Sequence, residues 1–124
     1  MNRSMVLMSA IMAAGVLTPA SAQDATAGAK VFMRCSACHA AVAGKPSGIG
    51  PNLAGVVGRK AGTLPGYSFS PAMKGSNITW TADQLDAYLA KPQAVVKGNK
   101  MPFFGLPNAK DRADVVAYLK TLKK

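Results

Sequence analysis

The sequence contains few of the residue types from which catalytic and metal-binding sites are usually built. Its 124 residues include two cysteines, one histidine and five acidic residues, all of them aspartate. These aspartates stand where first-turn charges favour helix N-termini: Asp24, Asp83, Asp86, Asp111 and Asp114. We therefore find no candidate for a catalytic carboxylate pair. Beyond the first two dozen residues, no apolar run approaches the ~20 residues that a membrane-spanning helix needs.

The cysteines and the histidine are all found in one segment, Cys35-Ser36-Ala37-Cys38-His39. C-x-x-C-H is the spacing that attaches a c-type haem, with two thioether bonds and the histidine as iron ligand. The alternatives for a C-x-x-C pair are a redox dithiol, usually beside a βαβ pattern, and half of a four-ligand zinc site. Neither the strands nor the further ligands are present, so the sequence predicts one covalently attached haem c.

The N-terminus has the organisation of a secretory signal. Arg3 is the positive charge, residues 5–17 form an apolar stretch, and Ala20-Ser21-Ala22 is an A-x-A cleavage site. We expect cleavage after Ala22, export to a bacterial periplasm and one domain at 23–124, with no stable membrane insertion. An uncleaved anchor is the alternative, although the apolar stretch is short for one.

The charge of the chain is strongly positive. The net charge of +10 falls to +9 once Arg3 leaves with the signal. Nucleic acid is one partner for such a field, but no binding motif accompanies it and export separates the protein from the chromosome. The charge favours an acidic protein surface or an anionic membrane as partner, because long-range attraction raises encounter rates. We expect a monomer.

Capping residues and apolar periodicity predict an all-α fold. Helices are expected after Asp24, Ser70, Thr81 and Asn108, each a residue type that caps helix N-termini. Segments 40–66 and 92–107 are rich in glycine and proline and are expected to be loops, apart from one turn of helix at 52–57. Such long irregular segments in a small domain need a group on which to pack.

The second axial ligand of the iron has to come from a methionine or a lysine, since the chain has no second histidine. Outside the signal the methionines are Met33, Met73 and Met101. Met33 is too close to the attachment motif, and Met73 lies in a short amphipathic segment where methionine is usually filler. Met101, in a loop stiffened by a following proline, is the best candidate. Lys97 and Lys100 compete, mainly at high pH.

A His39 and Met101 pair favours ferrous iron and leaves no open site for oxygen or peroxide. We therefore expect a soluble one-electron carrier that is not an enzyme. The alternative is a haem enzyme or a gas or peroxide sensor, in which a labile Met101 bond opens the iron. A haem-free periplasmic dithiol protein is a third class.

These residues resemble class I cytochrome c, the mitochondrial and photosynthetic-bacterial type, over essentially the whole mature chain. Gly28 and Phe32 resemble the N-terminal helix contacts that meet the C-terminal helix, here near Tyr118 and Leu119. The resemblance implies the small cytochrome c fold, in which the two terminal helices cross and short helices and long loops surround one haem.

The resemblance also implies five further haem-pocket residues: Pro51, Arg59, Trp80, Tyr88 and Phe103. The Pro51 carbonyl would accept a hydrogen bond from the ligating histidine and increase its basicity. Arg59 and the indole of Trp80 would stabilise a buried propionate, which is costly to bury unpaired. The Tyr88 hydroxyl would approach the methionine sulfur, and Phe103 would shield the haem edge.

Some positions depart from the family pattern. Phe69 stands where many relatives have a propionate-binding tyrosine, Met73 replaces a common asparagine and Asn99 replaces a threonine. Several lysines that ring the haem edge in mitochondrial proteins are absent as well. Arg34, Lys97 and Lys100 remain as the cations expected to steer that edge towards acidic patches on a membrane reductase, an oxidase or a reaction centre.

Overall fold

The computed structural model describes residues 10, 11, 15 and 23–124. Nearly all of the predicted signal, 1–22, lies outside these residues. The described part contains five helices and no strand: α1 (Ala25–Phe32), α2 (Pro71–Lys74), α3 (Ala82–Ala90), α4 (Pro92–Val95) and α5 (Ala109–Thr121). The predicted all-α class is confirmed. None of the helices within 23–124 has the length and hydropathy to cross a membrane.

Four of the helices begin where the sequence predicts. The side chains of Asp24, Ser70, Thr81 and Asn108 each accept at least one backbone N–H bond in the first turn of α1, α2, α3 and α5. Such bonds satisfy amides that have no partner within the helix. The N-termini are therefore defined by local chemistry that a single sequence displays.

The loop predictions are partly wrong. The segment expected to be a loop from Pro92 onwards begins with α4, because Pro92 suits a first helical position and its carbonyl accepts from Val96 N–H at 2.9 Å. The turn of helix expected at 52–57 is absent. Gly55 takes a left-handed φ of +73° there, which interrupts helical geometry, and the chain forms non-helical turns instead.

The crossing of α1 and α5 joins the two ends of the domain. Gly28 lies so close to α5 that a Cβ atom there would overlap the carbonyl oxygen of Asp114. One turn later, the rings of Phe32 and Tyr118 pack with centroids 5.1 Å apart. Val115 and Leu119 are buried in the core beside them. This crossing, expected from the resemblance, positions the segment that follows α1.

Asp114 has a different role from the first-turn charge that we expected. It is buried, and its Oδ1 accepts from the backbone N–H of Asp24 at 3.0 Å. Its Oδ2 accepts from Lys110 Nζ at 2.8 Å. These hydrogen bonds, the one from Lys110 first, lower the pKa of Asp114, and the same contact raises the pKa of Lys110. Asp114 thus ties the start of α1 to α5.

Asp114→Asn should remove a part of the stability that depends on pH. Because the pKa of Asp114 is lower in the folded state, its contribution is fully present above its ordinary value of about 3.8 and is lost as the pH falls through the folded pKa. We expect the free energies of unfolding of the wild type and the variant to differ at pH 6, and the difference to shrink as the pH falls below about 3.8. Denaturant titration measures this. A constant difference, or an equal effect of Asp83→Asn at the exposed start of α3, would contradict the prediction.

Candidate cofactor site

A central cavity is lined by side chains from α1, α2, α3 and α5 and from the loops between them. All nine residues predicted to bind the cofactor line it: Cys35, Cys38, His39, Pro51, Arg59, Trp80, Tyr88, Met101 and Phe103. Arg34 and Lys100 also line it, whereas Lys97 does not. Cys35 and Phe103, which are 68 positions apart in sequence, are therefore brought to one site.

The attachment motif lies in helix-like turns immediately after α1. Ser36 N–H donates to Phe32 O and His39 N–H donates to Cys35 O, both at 3.0 Å, so that the i to i−4 pattern continues past the end of the helix. Cys35 and Cys38 are free thiols and partly buried. Burial raises the pKa of Cys35, against a lowering effect of Arg34. Both cysteines line the cavity and neither is in a disulfide, as thioether formation requires.

His39 is oriented by a single strong hydrogen bond. Its Nδ1 lies 2.7 Å from Pro51 O, and because a carbonyl only accepts, Nδ1 carries the proton. Nε2 is then left with its lone pair. Burial lowers the pKa of His39, and the bond to Pro51 opposes this effect. The imidazole is therefore neutral over a wider pH range, in the tautomer that a metal ligand needs.

Gly50 makes room for this imidazole. A Cβ atom on Gly50 would lie 2.5 Å from His39 Cε1 and 2.8 Å from Nδ1, closer than carbon atoms approach. The backbone N–H of Gly50 also donates to Cys38 O at 2.8 Å. The glycine before Pro51 is thus required for the close approach of this loop to the ring.

Arg59 is a half-buried cation whose side chain donates only to backbone carbonyls. Its Nη1 donates to Ala54 O at 3.3 Å and its Nη2 to Asn52 O at 3.1 Å. The three ion pairs within residues 23–124 do not include it. Burial lowers its pKa. A cation that lines a cavity without a carboxylate partner suits an anionic group of a bound cofactor, as a haem propionate is.

Trp80 and Tyr88 form the aromatic wall next to Arg59. The backbone N–H of Trp80 donates to the backbone carbonyl of Arg59 at 2.9 Å, so the two residues are held side by side. The Trp80 and Tyr88 rings lie 4.9 Å apart, and both side chains are buried. Burial, and then the nearby Tyr67, raises the pKa of Tyr88 to about 12, which keeps its hydroxyl protonated.

The loop before Met101 is held by amide side chains. Met101 N–H donates to Asn99 Oδ1 at 2.8 Å, and Asn99 Nδ2 donates to Val96 O at 2.9 Å. The Gln93 side chain makes two more hydrogen bonds: it accepts from Gly98 N–H and donates to Asn99 O. Asn99 is buried. The sequence marked Asn99 only as a departure from the family, whereas in the structure it positions the candidate ligand.

The three methionines of the mature chain differ in position. Met33 is largely exposed and does not line the cavity, which agrees with its exclusion as a ligand. Met73, on α2, and Met101 both line it. Both are partly buried among the residues that surround the core.

Tyr67 is a site residue that the sequence reasoning missed. Its hydroxyl donates to Ile49 O at 2.9 Å, and its ring packs edge-on against Phe69 at 4.7 Å. Lys100 Nζ lies 5.5 Å from the centre of this ring and donates to Ser68 O at 2.6 Å. These contacts close one rim of the cavity. The only signal was an aromatic residue within a glycine- and proline-rich loop.

The donor set fits a covalently bound haem. Two unpaired thiols, a neutral imidazole with a free Nε2 and a thioether line the same apolar cavity, together with a cation that has no acidic partner. Within residues 23–124 no group of three or more histidine, cysteine and acidic side chains could hold a bare metal ion. The site therefore suits a metal that arrives within an organic ring.

Gly50→Ala should disturb the site through His39. The added methyl group would displace the imidazole and weaken its bond to Pro51, so we expect the haem-loaded protein to show partly high-spin ferric iron in its absorption spectrum. Gly48→Ala is the matched control, because a Cβ atom there lies 3.7 Å from its nearest neighbour, Cys38 O. Equal spectra for the two variants would contradict the steric role of Gly50.

The chain is similar to known proteins of one family. The family model described as Cytochrome c matches residues 25–123. The cytochrome c2 of Rhodomicrobium vannielii is 48% identical over 101 residues, which are 82% of this chain and 81% of that protein. The cytochrome c2 iso-2 of Magnetospirillum molischianum is 53% identical over 100 residues, 81% of this chain and 99% of that protein.

A solved structure gives the same result. The chain is similar to cytochrome cH from Methylobacterium extorquens, with a TM-score of 0.75 and 47% sequence identity. The match covers 79% of this chain and 98% of the other. The chain therefore resembles this protein in both fold and sequence.

Proposed function

This chain belongs to the cytochrome c family, and from that premise we propose which of its residues hold the haem and which face meets its redox partners. The protein is a one-electron carrier with one covalently attached haem c. When bound, the haem supplies an iron that alternates between Fe(II) and Fe(III). The observation that carries the proposal is the convergence of the C-x-x-C-H motif and Met101 on one cavity.

Each residue of the cavity has a separate task in this proposal. Cys35 and Cys38 would form the two thioether bonds, and His39 and Met101 would ligate the iron. The Pro51 carbonyl keeps the proton on Nδ1 of His39, which leaves the lone pair of Nε2 for a metal. The hydrogen bonds from Asn99 restrain Met101 and reduce the entropy lost on ligation.

The remaining cavity residues control charge and access to water. Arg59 offsets a propionate charge that would otherwise be costly to bury, and Trp80 packs beside it. Phe69 has no hydroxyl to add to this contact. The raised pKa of Tyr88 keeps its hydroxyl available as a donor towards the methionine sulfur. Phe103 covers the edge through which electrons pass.

Filling both axial positions argues against catalysis at the iron. A His and Met pair raises the reduction potential relative to two imidazoles and leaves no coordination site for a substrate. We infer that the protein is an electron carrier and not an enzyme. The competing function, a gas or peroxide sensor, requires that Met101 leave the iron readily.

Carbon monoxide separates the two functions. We expect the reduced wild type to show no spectral change with carbon monoxide at pH 7, since Met101 occupies the iron. Met101→Ala should lose the weak red absorption band of the ferric protein and bind carbon monoxide readily.

Met73→Ala is the matched control, because Met73 lines the same cavity. Met73→Ala should keep the red absorption band and should not bind carbon monoxide. Binding of carbon monoxide by the wild type would favour the sensor, and loss of the band only in Met73→Ala would reassign the ligand.

The proposed location is the bacterial periplasm, which the protein reaches by export. Cleavage of the signal after Ala22 would leave a monomeric domain at 23–124. The A-x-A sequence at 20–22 supports this position. In the cleaved protein Gln23 would be the first residue. Asp24, one residue later, caps α1, so the first helix would follow directly after the proposed cleavage site.

The proposed docking face is the rim of the cavity near Arg34, Lys97 and Lys100. Lys97 and Lys100 are exposed, although the Lys100 amine donates to Ser68 O. The Arg34 guanidinium is 4.0 Å from the Asp111 carboxylate, and 60% of its side chain remains exposed. The proposed partners are redox proteins with acidic patches.

The salt dependence of electron transfer tests this face. We expect the second-order rate with an acidic redox partner to fall about tenfold between low and physiological ionic strength, because steering charges are screened. Lys97→Gln should lower the rate at low salt only. Lys120→Gln, at the exposed end of α5, should not. A rate that is flat with salt would contradict steering while leaving the haem site untouched.

A further inference from the structure

Phe104 is exposed in a way that its neighbours are not. It is the most exposed of the large apolar side chains in the described part of the chain, with no measurable burial. The preceding Phe103 lines the cavity, and Leu106, two residues later, is almost completely buried. A phenyl ring in water, one residue after a side chain that lines the cavity, is the feature that the proposed haem site does not use.

The backbone holds Phe104 in this orientation. Leu106 N–H donates to Leu89 O at 2.7 Å, and Phe103 N–H donates to Met101 O at 2.9 Å. Gly105 lies against the end of α3 with a φ of +126°, and a Cβ atom there would overlap the carbonyl oxygen of Ala90. Phe104 therefore cannot turn inward without breaking these contacts, so its exposure follows from the fold.

The charges near Phe104 in sequence are of one sign. Residues 87–110 include four lysines and no acidic residue. Lys110 is paired with Asp114, and Asp86 is paired with Arg112, which also donates to Leu106 O and Pro107 O. The other three lysines, at 91, 97 and 100, are in none of the ion pairs within residues 23–124. Lys100, on the same loop as Phe104, lines the rim of the cavity. An apolar ring on a cationic loop is complementary to an apolar recess in an acidic surface.

We propose that Phe104 is the apolar anchor by which this protein docks on its redox partner, whose contact face has an apolar recess surrounded by acidic side chains. The proposal rests on the electron-carrier function and extends the docking face. Aromatic residues at the centre of an interface and charges at its rim have different effects. The lysines raise the rate of encounter, whereas Phe104 slows dissociation and does so independently of salt.

The charge of the protein argues against a second copy as the occupant. The chain carries a net charge of +10, and its mature part carries +9, so two such faces would repel each other. An anionic lipid surface accepts an apolar ring but accepts no electron, so the electron-carrier function favours a redox protein. The protein partner is therefore the occupant to which the proposal commits.

Steady-state kinetics with purified redox partners tests the proposed role of Phe104 in docking. The reduced haem-loaded protein is titrated against a purified cytochrome c oxidase, and the oxidised protein against a purified quinol–cytochrome c reductase, each at 10 and 200 mM salt. We expect Phe104→Ala to raise KM about tenfold at both salt concentrations with kcat unchanged, in at least one of the two reactions. Phe104→Leu should lie between the wild type and the alanine variant.

The controls separate the anchor from steering and from folding. Val42→Ala removes another exposed apolar side chain, one that does not line the cavity, and should leave KM unchanged. Lys97→Gln should raise KM at 10 mM salt and lose this effect at 200 mM. Melting temperatures of all variants should match the wild type, because Phe104 buries nothing in the free protein.

The outcomes are distinct. If Phe104→Ala behaves as Val42→Ala with both partners, the anchor is wrong and the electron-carrier function stands. If Phe104→Ala only weakens binding to vesicles of phosphatidylglycerol, the occupant is a lipid surface and the proposal is overturned. If the wild type itself exchanges electrons with neither partner, both the proposed class of partner and the proposed role of Phe104 are contradicted.

Discussion

The structure depends on a cavity that occupies the place where a filled hydrophobic core would lie. Helices of 4 to 13 residues are too short to bury much apolar surface against one another. Most of their apolar side chains, and those of the glycine-rich loops, converge on the space that the haem c fills. Attachment of the haem and folding of the chain are therefore coupled, because the same residues serve both.

The polar groups at this cavity are arranged so that few of them need water. The His39 imidazole, the Asn99 amide and the Arg59 guanidinium are each held by backbone carbonyls. Carbonyls orient these groups without adding negative charge. The positive charge of Arg59 is thereby left for the cofactor, and the imidazole is left neutral for the iron. Electron transfer benefits, because groups held by such hydrogen bonds move little when the iron changes oxidation state.

The charges of the domain are divided between stability and recognition. Asp86, Asp111 and Asp114 pair with cations on or next to the helices. The loop from α3 to α5 keeps only lysines, together with the exposed ring of Phe104. The proposed docking face thus includes the loop that carries the candidate ligand Met101. Encounter and electron transfer can then use the same part of the surface.

The sequence by itself determined the cofactor and four of the five helix starts, because these depend on covalent spacing and on local hydrogen bonds of capping residues. It also left His39 as the one histidine to propose as a ligand. It also narrowed the second ligand by counting methionines. Only the tertiary structure decided that Asp114 ties α1 to α5, that Tyr67 and Asn99 support the site, and that the turn at 52–57 is not helical. These features depend on contacts between segments that are distant in sequence, and on backbone angles such as that of Gly55, which no local pattern specifies.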